Sequence, residues 1–131
     1  MKKDFNIPEV KEVHVAAVHV FNESFNTWEW NAYIINAGSK DLEMVLIVSK
    51  GRKDAKETSI MRHKIEKLPA NTFAKIEFLQ EDVLKLNNEF HVSYFQDQKM
   101  FDKKFMFPAN SIKKSKARKI PVIPEAGILA Q

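Results

Sequence analysis

Apolar and polar residues alternate along most of this chain with a period of two, the signature of half-buried β-strands. Val13, Val15 and Ala17 fall on one side of the first extended run, and His14, Ala16, Val18 and Val20 on the other. Both sides are largely apolar, so this strand is expected to be covered on both faces or to switch sheets at a bulge. Asn22 to Thr27 is polar and turn-like. In the run that follows, Trp28, Trp30, Ala32 and Ile34 share a face opposite Glu29, Asn31 and Tyr33. Ala37-Gly-Ser-Lys-Asp41 reads as the clearest turn, and Leu42 to Lys50, rich in Val, Ile and Leu, completes a hairpin.

The alternation continues beyond a charged loop at Gly51 to Glu57. Thr58 to Ile65 reads as a strand with Ile60 and Arg62 on one face and Met61 and His63 on the other. Leu68-Pro-Ala-Asn71 turns the chain, and Thr72 to Leu79 alternates again. Glu81 to Leu86 is the one plausible helical turn; Glu81 and Asp82 suit its N-terminus, where the peptide dipoles favour negative charge. Glu89 to Gln96 and Lys99 to Phe107 then flank a tight turn at Asp97-Gln98. About seven strands with short turns and no long helix predict an all-β, antiparallel β-sandwich.

After Phe107 the pattern changes. Residues 1–107 hold 16 basic and 16 acidic side chains, whereas residues 108–131 hold five basic (Lys113, Lys114, Lys116, Arg118, Lys119) and one acidic (Glu125). The net charge of +4 and the pI of 9.2 therefore describe a neutral body with a cationic end. Beyond Lys119 the chain is apolar and carries Pro121 and Pro124, which bars a regular helix or a central strand. Yet Ile120, Val122, Ile123, Ile128 and Leu129 are not residues of a disordered segment; they call for a surface or a strand edge to dock on. The expected organisation is a β-sandwich domain over 1–111 and a mobile C-terminal tail, basic then apolar, over 112–131.

The order of strands resembles the immunoglobulin or fibronectin type III class, with a Trp on an early strand (Trp30), a Leu-Pro turn (Leu68-Pro69) and a Tyr on the penultimate strand (Tyr94). It departs from that pattern in having no Cys pair, and in placing Tyr94 deep within its strand. Trp30-Asn-Ala-Tyr-Ile-Ile-Asn36, Glu43-Met-Val-Leu-Ile-Val-Ser-Lys-Gly51, Thr58-Ser-Ile-Met-Arg-His63 and Asn88-Glu-Phe-His-Val-Ser-Tyr-Phe95 also resemble a family of small uncharacterised bacterial proteins. Some members of that family carry a phenylalanyl-tRNA synthetase label. A synthetase catalytic domain needs an ATP site and several hundred residues; this chain has neither the length nor the motifs, so the resemblance implies relatives rather than an activity.

The chemistry on offer is sparse. There is no cysteine, which removes disulfides, thiolate metal sites and thiol nucleophiles and points to a cytoplasmic home. The three glycines, Gly38, Gly51 and Gly127, stand apart, so no phosphate-cradling loop is encoded. The four histidines, His14, His19, His63 and His91, lack ligand spacing; no metal, cofactor or catalytic residue is expected. Lys2 and Lys3 precede Asp4, Glu9, Glu12 and the apolar run, with no small-residue cleavage site, which does not fit a signal peptide. No apolar run is long enough to cross a bilayer as a helix.

A non-catalytic binding or assembly module with an unknown protein partner is therefore expected. Trp28 beside the Asn22–Thr27 loop is the candidate interface anchor. Lys113, Lys114, Lys116, Arg118 and Lys119 are the candidate contacts to that partner or to nucleic acid, although no aromatics are interleaved among them to stack bases. One alternative is a nucleic-acid-associated accessory protein acting through this tail. Another is a small enzyme with a loop-built site using Arg52, Arg62 and His63. A homodimer would cover the two-sided apolar run Val13 to Val20.

Overall fold

The computed structural model describes residues 8–131; Lys2, Lys3 and Asp4 lie outside the described residues. The chain forms β1 (Val13–Asn22), β2 (Thr27–Asn36), β3 (Leu42–Lys53), β4 (Lys56–Glu57), β5 (Met61–Leu68), β6 (Thr72–Leu79), β7 (Asn87–Gln96), β8 (Lys99–Phe107) and β9 (Gly127–Leu129). A 3₁₀ turn, Glu81–Lys85, separates β6 from β7, and a second, Lys114–Lys116, follows β8. All strand pairs are antiparallel, in two sheets. The first runs β6-β2-β1-β9. In the second, β3 has β7 and then β8 on one side, and β5 with the short β4 on the other.

The inner faces of the two sheets share one core. Val13, Val15, Ala17, Ala32 and Ile34 of the first sheet pack in the same cluster as Leu42, Val45, Ile47, Phe90, Val92, Tyr94, Phe105 and Phe107 of the second. The period of two places these residues on one side of each strand, except that in β3 Leu42 joins Val45 and Ile47 only because the register shifts around Met44, which has a positive φ. Tyr94 stacks on Phe101 with ring centroids 5.1 Å apart, and its burial pushes the phenol pKa up to about 12. Asp97 and Gln98 both adopt positive φ, as a two-residue hairpin turn of the kind that matches strand twist requires.

The strand over Thr58 to Ile65 is displaced to Met61–Leu68. Thr58 is held instead by Gly51: its amide donates to the Gly51 carbonyl at 2.9 Å, and its hydroxyl accepts from the Gly51 amide at 2.8 Å. The chain pairs with β3 again only after that anchor.

Segment 112–131 is packed on the body along its length. Ile112 is buried in the shared core. Ile120 and Ile123 cover Ala16, Val18 and Ile35 on the outer face of the first sheet. β9 pairs with β1 through Ala16, Ala17 and Val18, the Ala130 amide donates to the Val15 carbonyl, and Gln131 exchanges two hydrogen bonds with Met106 of β8. The two apolar faces of β1 are thus explained. One faces the core, and the other is covered by the same chain, so the apolar face that pointed to a homodimer is filled intramolecularly.

Candidate functional site

The hairpin of β1 and β2 outruns its neighbours. β9 pairs no farther along β1 than Val18, and β6 pairs no farther along β2 than Trp30. Among the described residues, His19 to Glu29 therefore forms a two-stranded ribbon beyond the sheet. Its turn is fixed by Asn22, whose side-chain oxygen accepts from the amides of Ser24 at 3.0 Å and Phe25 at 3.3 Å. The Asn22 amide group donates to Glu29 across the ribbon at 3.1 Å.

The strand register puts four rings on one face of this ribbon. His19 lies opposite Trp30, and Phe21 opposite Trp28. The ring centroids are 4.7 Å apart for His19 and Trp30, 5.2 Å for His19 and Trp28, and 5.4 Å for Phe21 and Trp28. Cross-strand pairs of this kind stabilise a hairpin, but they do not hide it. Trp30 reaches back to the core, whereas Phe21 is 42% exposed and Trp28 62%. Phe25 at the turn is 74% exposed. A groove of about 480 Å³ runs along the rings, with Leu79, Glu81 and Leu84 on its far wall.

The basic segment arrives beside this row. Lys113, Lys114 and Lys116 are exposed, and Lys114 is close enough to His19 to act on its charge. The imidazole titrates below its ordinary value, first through burial and then through the Lys114 ammonium. Arg118 pairs its backbone with Gly127, and with Lys119 it points outward while Ile120 turns in. Trp28 and the cations of 113–119, noted separately in the sequence, are therefore joined at one corner through His19. The ring row itself was not read from the sequence. Its signal was present in the alternation: His19 and Phe21 share a face, as do Trp28 and Trp30, across one polar turn.

Arg52, Arg62 and His63 do not converge. Arg52 pairs with Glu89 at 3.2 Å. Arg62 and His63 are consecutive residues on β5 and point to opposite faces. His63 instead meets Glu77 at 2.8 Å, and the same Glu77 oxygen accepts from the Ser49 hydroxyl at 2.7 Å. These three lie where the edges of the two sheets meet, and Ser49 and Glu77 line a cavity of about 480 Å³. Their order is serine, carboxylate, imidazole. A histidine-relayed nucleophile needs the imidazole in the middle. His14 sits apart on the other face of β1 and His91 pairs with Asp102, so the four histidines occupy four separate surroundings. Among the described residues no group of three or more His, Cys, Asp or Glu stands together to hold a metal ion, and no helix is long and apolar enough to cross a membrane.

No family model matches the chain, and no curated protein or solved structure matches it.

Proposed function

We propose that this protein is a non-catalytic binding module whose partner surface is the ribbon of His19 to Glu29 together with the adjoining cations of 113–119. The observation that carries the reading is Trp28: an indole 62% exposed at the centre of a row of rings. Leaving a large apolar side chain in water forgoes about 1.5–3 kcal/mol of burial. Clustered exposed aromatics beside cations have the composition of binding hot spots rather than of ordinary surface.

Two finer parts of the reading have support of their own. The strand orders β9-β1-β2-β6 and β5-β3-β7-β8 support an immunoglobulin or fibronectin type III-like β-sandwich, and the absence of cysteine supports a cytoplasmic setting. The exposed Met44, Leu46 and Val48 on the outer face of β3 support self-association there as a further part of the reading. A monomer by light scattering at micromolar concentration would remove that part.

Replacing Trp28 by a photo-crosslinking amino acid tests the surface directly, with the same replacement at exposed Lys64 as the control. Adducts in cell extract should form at position 28 in clear excess over position 64. Equal yields at the two positions would refute the assignment of the surface.

A further inference from the structure

We infer that the partner of this corner is single-stranded nucleic acid, bound with bases stacked on Trp28 and Phe21 and phosphates on Lys113, Lys114 and Lys116. This rests on the proposed binding surface and names its partner. Three observations carry it. The rings are presented on a ribbon that stands clear of both neighbouring strands, so a base can reach the indole without the sheet being opened. Stacking of this kind tolerates any sequence, because every base has a π-face. Next, Lys113, Lys114 and Lys116 are exposed and make no ion pair with a described residue. Lysines already paired with carboxylates would have to break those pairs to take up phosphate. Finally, the backbone bridge from Arg118 to Gly127, which itself pairs with Val18, sets the basic segment beside His19, whose ring contacts both Trp28 and Trp30, and Lys114 acts on the His19 charge. The stacking platform and the basic segment thus meet at one corner of the molecule.

The surroundings also orient the strand. Glu81 and Glu29 line the groove beside the rings, and Glu29 is tied to Asn22. Those carboxylates repel phosphate from the groove, whereas Lys113, Lys114 and Lys116 attract it. An acidic protein would satisfy the lysines equally well, but the exposed face of a flat indole adds nothing for a carboxylate. A double helix fits less well, since its bases are already stacked on one another and offer no free face to Trp28.

Both tryptophans of the chain, Trp28 and Trp30, belong to the row, so intrinsic fluorescence reports on this site alone. The full chain is titrated with a single-stranded oligothymidylate, with a duplex of equal length and with polyglutamate, at several salt concentrations. The single strand should quench the fluorescence, with affinity falling as salt rises. Trp28→Ala should weaken it on the order of ten-fold with an unchanged salt slope, and Trp28→Phe should retain most of the binding. Removing Lys114 should lower the logarithmic salt slope by about 0.7. Equal affinity for the duplex, or Trp28→Ala without effect while its melting temperature is unchanged, would overturn the inference. Quenching by polyglutamate that depends on Trp28, with none from the oligonucleotide, would overturn the nucleic-acid assignment and leave the binding surface standing. No response to any of the three polyanions would overturn both the partner and the role given to the lysines.

Discussion

At the scale of single residues, the most consequential polar side chain is Asn36, which is fully buried at the end of β2. Its amide group lies within hydrogen-bonding distance of the carbonyls of Lys40 at 2.9 Å and of Leu68 and Pro69 at 3.1 Å, and its oxygen accepts from the Gly38 amide at 3.1 Å. One side chain thereby ties the β2–β3 turn to the β5–β6 turn, the two crossings between the sheets at this end of the fold. Replacement by Ala leaves buried carbonyls and an amide without partners. Asn36→Ala should lower the unfolding free energy by about 2–3 kcal/mol, read as a fall in the urea midpoint. In the sequence Asn36 is only the polar residue that ends an apolar run, because nothing local records that its partners come from a turn more than thirty residues away.

At the scale of elements, most long strands were legible, but their partners and the short strands were not: Trp28–Asn36 and Leu42–Lys50, read as a hairpin, lie in different sheets. The alternation in Trp28 to Ile34, Val45 to Lys50 and Glu89 to Phe107 is enforced by a sheet with one face in the core, so it appears directly in the order of residues. β4 has two residues and β9 three, too few to show a period. β9 follows prolines and owes its pairing to the edge of β1 rather than to its own pattern. Gly127 shows the tightness of that contact. A Cβ there would stand 2.8 Å from the Ala17 carbonyl oxygen and 2.8 Å from Ile120, so even Gly127→Ala must push β9 off its partner. Ile120→Ala removes the cover of Val18 without such a clash and should cost about 2–4 kcal/mol. Thermal melts of the two variants test whether segment 112–131 is part of the cooperative fold: both should unfold in one transition at lower temperature. An unchanged main transition would mean the segment is an independent appendage. For the same reason, functional tests of the cations call for point substitutions, since cutting the chain at 112 removes Ile112 from the core.

At the scale of the whole molecule, pH should act through two histidines. His14 titrates below its ordinary value of 6.5 because it is partly buried, with Glu12 opposing and Lys103 reinforcing the shift. His19 does so through burial and Lys114. The folded protein then binds fewer protons than the unfolded chain between the lowered values and pH 6.5. The stability this contributes is present above pH 6.5 and is lost as pH falls through the folded values. Denaturant midpoints should therefore drop between pH 7.5 and pH 5, and His14→Gln with His19→Gln should flatten that profile. A double variant as pH-sensitive as the parent would refute the assignment to these two rings. The candidate site was legible to a similar degree as the fold. Trp28 and the basic run stood out by residue type alone. Their meeting depends on the chain wrapping round the edge of β1 after Ile112 enters the core, a long-range event that no local spacing encodes.

The cover of β1 has a cost during synthesis. β1 is translated before every other strand described, whereas Ile120, Ile123 and β9 follow all the others. At ordinary elongation rates the interval is on the order of ten seconds. Throughout that time the nascent chain carries a strand with an open hydrogen-bonding edge and a naked apolar back, the kind of surface that recruits chaperones or neighbouring polysomal chains.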